Sequence, residues 1–321
     1  MPTNPDNQGA SQLPQSYAFI ANIAHLADVT SYILAPAHEL RHATHDETNF
    51  LCDAVKQFFP SPISFYKKLW ECRWPPKGAL QLLPEAEWRY FVIGFTGTNY
   101  TIDELKSAFD IAPLELEILF TLAFMDSRDL PKPTIIWKGS RIFQTLNNAH
   151  LDASFFHEVR LSDLTTIKNI YERMQHHDDA LIDMKKIARQ FGELKDLPKK
   201  SELRFLGYFA ILESMLTHSP KPGDRYESIT RQVKRKIALL DNRWSPTLDY
   251  TPFEEARPEK IWEIMYAYRS SLAHGDNPNF RTEFRVLKSP EEALRLIREC
   301  SKAVARQILE EPRLLLDLRE C

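Results

Sequence analysis

From residue 162 to the C-terminus, apolar residues recur every three or four positions, turn after turn, and this periodicity restricts half of the chain to packed helices. Leu164, Ile167, Ile170, Tyr171 and Met174 form one stripe, and Ile182, Met184, Ile187 and Phe191 a second. A basic joint at 197–201, broken by Pro198, leads into 202–217. That segment is apolar almost all round (Phe205, Leu206, Phe209, Ile211, Leu212, Met215, Leu216), the mark of a helix enclosed by others. Further helices are predicted over 226–240, with a basic face, then over 259–273 and 290–310, with an irregular proline-containing stretch at 245–258.

The first half is mixed. Helical spacing of Phe19, Ile20, Ile23, Leu26, Ala27 and Ile33 predicts a helix over 16–34, and a second is expected over 37–58, stopping before Pro60. Prolines break 60–84, which carries Trp70 and Trp74. The aromatic and β-branched run 89–96 predicts a buried strand, and 134–137 a short one. Thr101 and Glu104 form a capping box that opens a helix to about Phe109, and Pro113 is expected to start another, to about Met125. The Glu115/Glu117 face of that last helix is acidic, which argues for a packing hairpin rather than a DNA-reading one. The expected class is mainly α: a disordered lead-in over 1–15, a mixed α/β domain over 16–155, and a helical domain over 156–321.

Composition narrows the chemistry. Nine glycines, none clustered, supply no phosphate-cradling nucleotide loop. Cys52, Cys72, Cys300 and Cys321 are scattered, which points to reduced thiols in a cytoplasm and away from a cysteine-based zinc site. No apolar run is long enough to span a bilayer, so no membrane partner is expected. Net charge is −3, yet from Lys199 onward there are 22 Lys+Arg against 19 Asp+Glu, leaving 19 against 25 before it. The cluster Arg231, Lys234, Arg235 and Lys236 is the candidate RNA-binding face, although such a run is also what a solvated helix face looks like. Trp70, Trp74, Trp88 and Phe95 fit a core better than a base-stacking platform.

The segment 266–276 concentrates the chemistry. Arg269 is followed five positions later by His274, which abuts Gly275. A guanidinium grips phosphate oxygens in a fork, and an imidazole exchanges protons near neutral pH. On a straight helix, residues five apart diverge by about 140°, so the pair does not share a face. Gly275 can end the helix in the left-handed conformation and release His274, and a twofold dimer can bring a second pair to the same groove.

The residues Tyr266, Arg269, His274 and Gly275, the upstream Leu212-Glu213 helix beginning at Phe209, and the following helix 231–240 together resemble the HEPN superfamily and its Apea-like branch. The likeness covers roughly residues 160–321. It implies an antiparallel helical bundle that dimerises and a metal-independent endoribonuclease needing no cofactor, of a kind found in bacterial toxin and antiviral defence systems. RNA, a second copy, and an antitoxin or trigger protein are the implied partners. Under that resemblance His274 is the acid or base, Arg269 stabilises charge on the phosphate, Ser270 orients it, and Glu213 holds Arg269. The family usually carries Asn, His or Asp directly after the arginine, where this chain has Ser270. A 2′,3′-cyclic phosphate product is expected, indifferent to EDTA. A non-catalytic module binding RNA or protein through the same groove is the alternative.

Two further strings attract attention. His38-Glu39-Leu40-Arg41-His42 matches H-E-x-x-H, in which a helix presents two zinc-binding histidines on one face, with Glu39 as base and His45 as a further nitrogen. Pro36 and Arg41 count against that arrangement. His176-His177-Asp178-Asp179 reads as a polar turn, because adjacent helical residues point about 100° apart.

Overall fold

A computed structural model describes residues 16–58, 69–73, 81–96, 99–123, 134–138, 155–180, 182–218, 229–254 and 256–320. The expected lead-in over 1–15, Trp74 with most of the proline-broken stretch, and Cys321 lie outside these residues. The molecule is mostly helical, with an antiparallel sheet in its first half. Two compact units divide the chain: Met1–Phe109 with Leu116–Lys168, and Asp110–Glu115 with Asn169–Cys321.

The first unit is built on a six-stranded sheet in the order β3-β4-β7-β1-β8-β9. Its strands are β1 (Ser16–Ile20), β3 (Ser31–Ala35), β4 (His38–His42), β7 (Phe91–Phe95), β8 (Ile118–Ala123) and β9 (Thr134–Lys138). All pairings are antiparallel. Short strands β2 (Ile23–Leu26) and β10 (His157–Val159) pair in parallel, and β5 (Cys72–Arg73) pairs with β6 (Gln81–Leu82). Tyr17, Phe19, Tyr90, Val92 and Leu122 share one core with Leu51, Ala54 and Val55 of α1 (His45–Phe58). Ala18, Ile20, Phe91, Ile93 and Phe95 alternate onto the opposite face and are buried as well.

Burial on both faces explains the failed expectations at β1 and β8, whereas β3 and β4 keep exposed positions, Ile33 and Glu39 among them. The helix over 16–34 is in fact β1, β2 and β3, and 37–58 begins as β4 before α1. A strand covered on both sides is a continuous apolar run, which periodicity alone does not separate from a buried helix. The helix expected after Pro113 is likewise β8, and no helix-turn-helix exists there. The strands at 89–96 and 134–137 are present as β7 and β9. The helix α2 (Asn99–Ile111) starts two residues ahead of the Thr101 capping box.

The second unit is helical. After α3 (Leu161–His176), which enters it, come α4 (Met184–Asp196), α5 (Glu202–Leu216), α6 (Ile229–Asp241), α7 (Pro258–His274), α8 (Pro290–Glu310) and α9 (Pro312–Glu320). The enclosed α5 packs against α4, α6, α7, α8 and α9, as its all-round apolar sequence requires. Ser289 caps α8 by accepting from the Glu292 N–H at 3.2 Å. Among the described residues no helix is long and apolar enough to cross a membrane.

Candidate functional site

An aromatic ladder sets the register between α5 and α7. Phe205 packs on Tyr268 with ring centroids 4.6 Å apart, and Phe209 meets Tyr266 edge-on at 5.1 Å. Phe205, Phe209 and Glu213 are spaced by four residues, so they form one stripe along α5. The stripe therefore ends by aiming a carboxylate at α7. Arg269 donates from Nη2 to Glu213 Oε2 at 3.3 Å, and the Tyr266 hydroxyl donates to Oε1 at 3.5 Å. Burial and the Glu213 carboxylate push the Tyr266 phenol upward, so it stays protonated and able to donate. The Glu213 side chain is 17 % exposed and that of Arg269 40 %, so the anchor is sheltered while part of the guanidinium faces solvent. A guanidinium has five N–H donors, and the Glu213 bond engages one of its nitrogens.

Helix α7 ends as its sequence dictates. Gly275 adopts φ 78°, ψ 21°, in the left-handed region. Its N–H donates to Leu272 O at 3.2 Å and that of Asp276 to Ser271 O at 3.0 Å, the paired bonds of a Schellman terminus. His274 is the last helical residue and is exposed, and its side chain makes no hydrogen bond among the described residues. Ser270 is exposed beside Arg269. Within one chain Arg269 faces α5, while His274 lies about 7.5 Å further along the axis and about 140° round it.

The basic cluster on α6 divides. Arg231 and Arg235 are exposed and Lys234 is partly so. Lys236 corrects the expectation, because it is 3 % exposed and cannot meet RNA from there. Its Nζ donates to Leu216 O at 3.0 Å, covering a carbonyl left over at the C-terminus of α5. Arg319 Nε reaches the next carbonyl, Thr217 O, at 3.3 Å.

The H-E-x-x-H string lies on β4 rather than on a helix. Four residues of strand separate His38 from His42 by about 13 Å, against about 6 Å on a helix. The buried Leu40 stands between them on the same face. His38 is committed to Pro36 O, 2.7 Å from Nδ1, and stacks on Phe95. Glu39 is exposed on the other face, and Arg41 forks onto Glu47 at 2.7 and 2.8 Å. The helical premise of a zinc hydrolase is thereby removed. In the 176–179 string, His177 Nε2 bonds Ile182 O, Asp178 accepts from Ala180 N–H, and Asp179 accepts from Met184 N–H, so these residues build a turn and a helix start. Among the described residues no group of three or more His, Cys, Asp or Glu side chains could hold a metal ion. Trp70 and Phe95 are each 1 % exposed and belong to cores, and Trp88 donates to Leu83 O.

Two features escaped the sequence. Tyr266 carries part of the motif, but its bond to Glu213 was not expected, although its place one helical turn before Arg269 puts both on one face. The other is a buried charge network, for which the sequence carries no signal. Lys195 contacts Asp110 at 2.6 Å and Glu115 at 3.1 Å, and Lys302 contacts Glu115. No family model, curated protein or solved structure matches this chain.

Proposed function

We propose that the helical unit is a HEPN-type endoribonuclease that cleaves RNA without a metal, working as a homodimer in a bacterial defence or toxin system. The supporting observation is the anchored Arg269. A sheltered carboxylate from a neighbouring helix orients a half-exposed guanidinium, and an exposed histidine with no competing hydrogen bond among the described residues ends the same helix. In the proposed reaction the 2′-hydroxyl attacks the adjacent phosphorus and the 5′-oxygen leaves. One imidazole accepts the hydroxyl proton and the imidazole of the second copy protonates the leaving oxygen. The guanidinium stabilises the equatorial oxygens as charge develops on them. Because Arg269 and His274 diverge on one helix, convergence requires the twofold partner. Arg231 and Arg235 would hold the RNA backbone.

The test is incubation of the full chain with structured and unstructured RNAs in EDTA, with end-group analysis of products. Fragments ending in 2′,3′-cyclic phosphate and 5′-hydroxyl are expected, lost in His274→Ala and Arg269→Ala while circular dichroism and oligomeric state hold. RNA bound but left intact at micromolar protein would replace the enzyme by a non-catalytic RNA-binding module.

A further inference from the structure

A cleft of about 440 Å³ opens in the first unit, lined among others by His25, His42, Arg73, Glu87, Arg89 and Phe156. Its volume lies in the range of small-molecule sites. Its most informative residue is Arg89, which is 9 % exposed. Buried guanidinium groups are ordinarily matched by a carboxylate. Arg89 has none among the described residues. Its Nη2 donates to the main-chain oxygen of Cys72, and its Cζ sits 4.0 Å over the centroid of the Phe156 ring. The neighbouring formal charge of the same sign is Arg73, on the strand that carries Cys72. Burial draws the Arg89 guanidinium below its usual range; Cys72 opposes that effect and Arg73 adds to it, and no carboxylate among the described residues compensates it.

The remaining wall fits the same pattern. Arg73 is exposed at the cleft. The two imidazoles supply further polar groups, of which His25 lies 3.4 Å from Glu158 and His42 packs on Phe91 at 4.1 Å between ring centroids. Glu87 also lines the cleft, yet among the described residues no ion pair joins it to either arginine. Two guanidiniums and two imidazoles around one cavity offer more donors than the two oxygens of a carboxylate can use. A phosphate ester, with three non-bridging oxygens and up to two charges, matches them.

We propose that this cleft is a binding site for a small phosphorylated molecule, whose phosphate oxygens are gripped by Arg89 from the buried wall and by Arg73 from the rim. Phe156 holds Arg89 in place through its ring face. The site belongs to the first unit and is independent of the RNA-cleavage reading.

Titration calorimetry and thermal melting of the full chain test this with inorganic phosphate, adenosine monophosphate, adenosine and citrate. Phosphate and the nucleotide are expected to bind and to raise the melting midpoint, and adenosine to do neither. A nucleotide tighter than phosphate assigns the site to an organic phosphate, and equal affinities assign it to the free ion. Arg73→Gln, at an exposed position, is expected to weaken binding roughly tenfold, the effect of about 1.4 kcal/mol, while the unliganded midpoint stays unchanged. Absence of binding at millimolar phosphate and nucleotide, citrate binding as tightly as either, or wild-type affinity in Arg73→Gln would overturn the proposal.

Discussion

Replacing Glu115 by Ala removes the carboxylate that joins two buried ammonium groups, and the structure fixes how large the loss should be. The Lys195 and Lys302 side chains are 8 % and 4 % exposed, and Asp110 remains to Lys195 at 2.6 Å. Among the described residues Lys302 then keeps the main-chain oxygen of Ala112, at 2.9 Å. Burial alone would raise the Glu115 carboxyl, but Lys195, Lys302 and Arg298 hold it well below the usual carboxylate range. Burial draws Lys302 down from 10.5 to about 8, only partly opposed by Glu115. Breaking one partner of such a pair costs about 3–5 kcal/mol. Lys302 can limit its own share of that loss by shedding its proton, which from a folded pKa of about 8 costs on the order of 1.4 kcal/mol at pH 7. At about 2–4 °C per kcal/mol for a unit of this size, the midpoint should fall by roughly 10 °C. The pH dependence gives a sharper check. Because the folded pKa of Lys302 lies below its unfolded value, the unfolded chain binds more protons between about pH 8 and 10.5, and this group makes stability rise across that window. Without Glu115 the folded pKa drops further, so the window widens downward and the deficit of the variant should shrink between pH 7 and pH 10. The Glu115 contribution in the wild type runs the other way, being lost as pH falls through its depressed folded pKa. Thermal melts by circular dichroism at both pH values decide the matter. A midpoint shift under about 2 °C at pH 7, or an equal loss at pH 7 and pH 10, refutes the reasoning.

Three other outcomes follow from single side chains. Gly275→Ala meets no atom within 4 Å but must hold φ 78°, so it should cost about 1–2 kcal/mol by urea denaturation through backbone strain alone. Lys236→Met should lower stability by uncapping Leu216 O and leave the salt dependence of RNA binding unchanged, whereas Arg235→Gln should do the reverse, flattening the log–log salt slope by about 0.7 for single-stranded RNA. Glu213→Gln keeps the shape of the Arg269 anchor and removes its charge. With Arg269 partly in solvent, stability should change by less than about 1 kcal/mol, while single-turnover RNA cleavage slows by about tenfold or more.

The helices of the second unit were legible because each buries one stripe against its neighbours, and α5 because it buries all sides. The bounds expected for α8 are those observed. The C-terminus of α7 was legible from a single residue, Gly275. The central sheet was not, since β1 is buried on both faces and its neighbour Ile23 continues the apolar run. Lys236 shows a second kind of limit. A lysine three or four residues from apolar Val233 and Leu240 belongs to the buried stripe of α6, but its charge argues for the surface. The decisive fact, a bare carbonyl at the end of another helix, is tertiary. Glu115 was misread for the same reason, its two lysines lying 80 and 187 positions away in sequence.

Arg89 and Lys302 are both cations withdrawn from water, and the difference between them separates a structural charge from a binding one. Lys302 has a carboxylate, so the pair is internally balanced and removing either half should destabilise the fold. Arg89 has a carbonyl oxygen and a ring face, which together contribute about 1–3 kcal/mol, set against a desolvation penalty of several kcal/mol for an unmatched ion. Arg89→Met, close in volume and without charge, should therefore melt no lower than the wild type in the absence of ligand, and should lose the stabilisation that phosphate confers. A cation retained solely for the fold would behave oppositely. A drop of more than about 5 °C in unliganded Arg89→Met would mean that the carbonyl and the ring already balance the charge, and the case for an anion in that cleft would then rest on Arg73 alone.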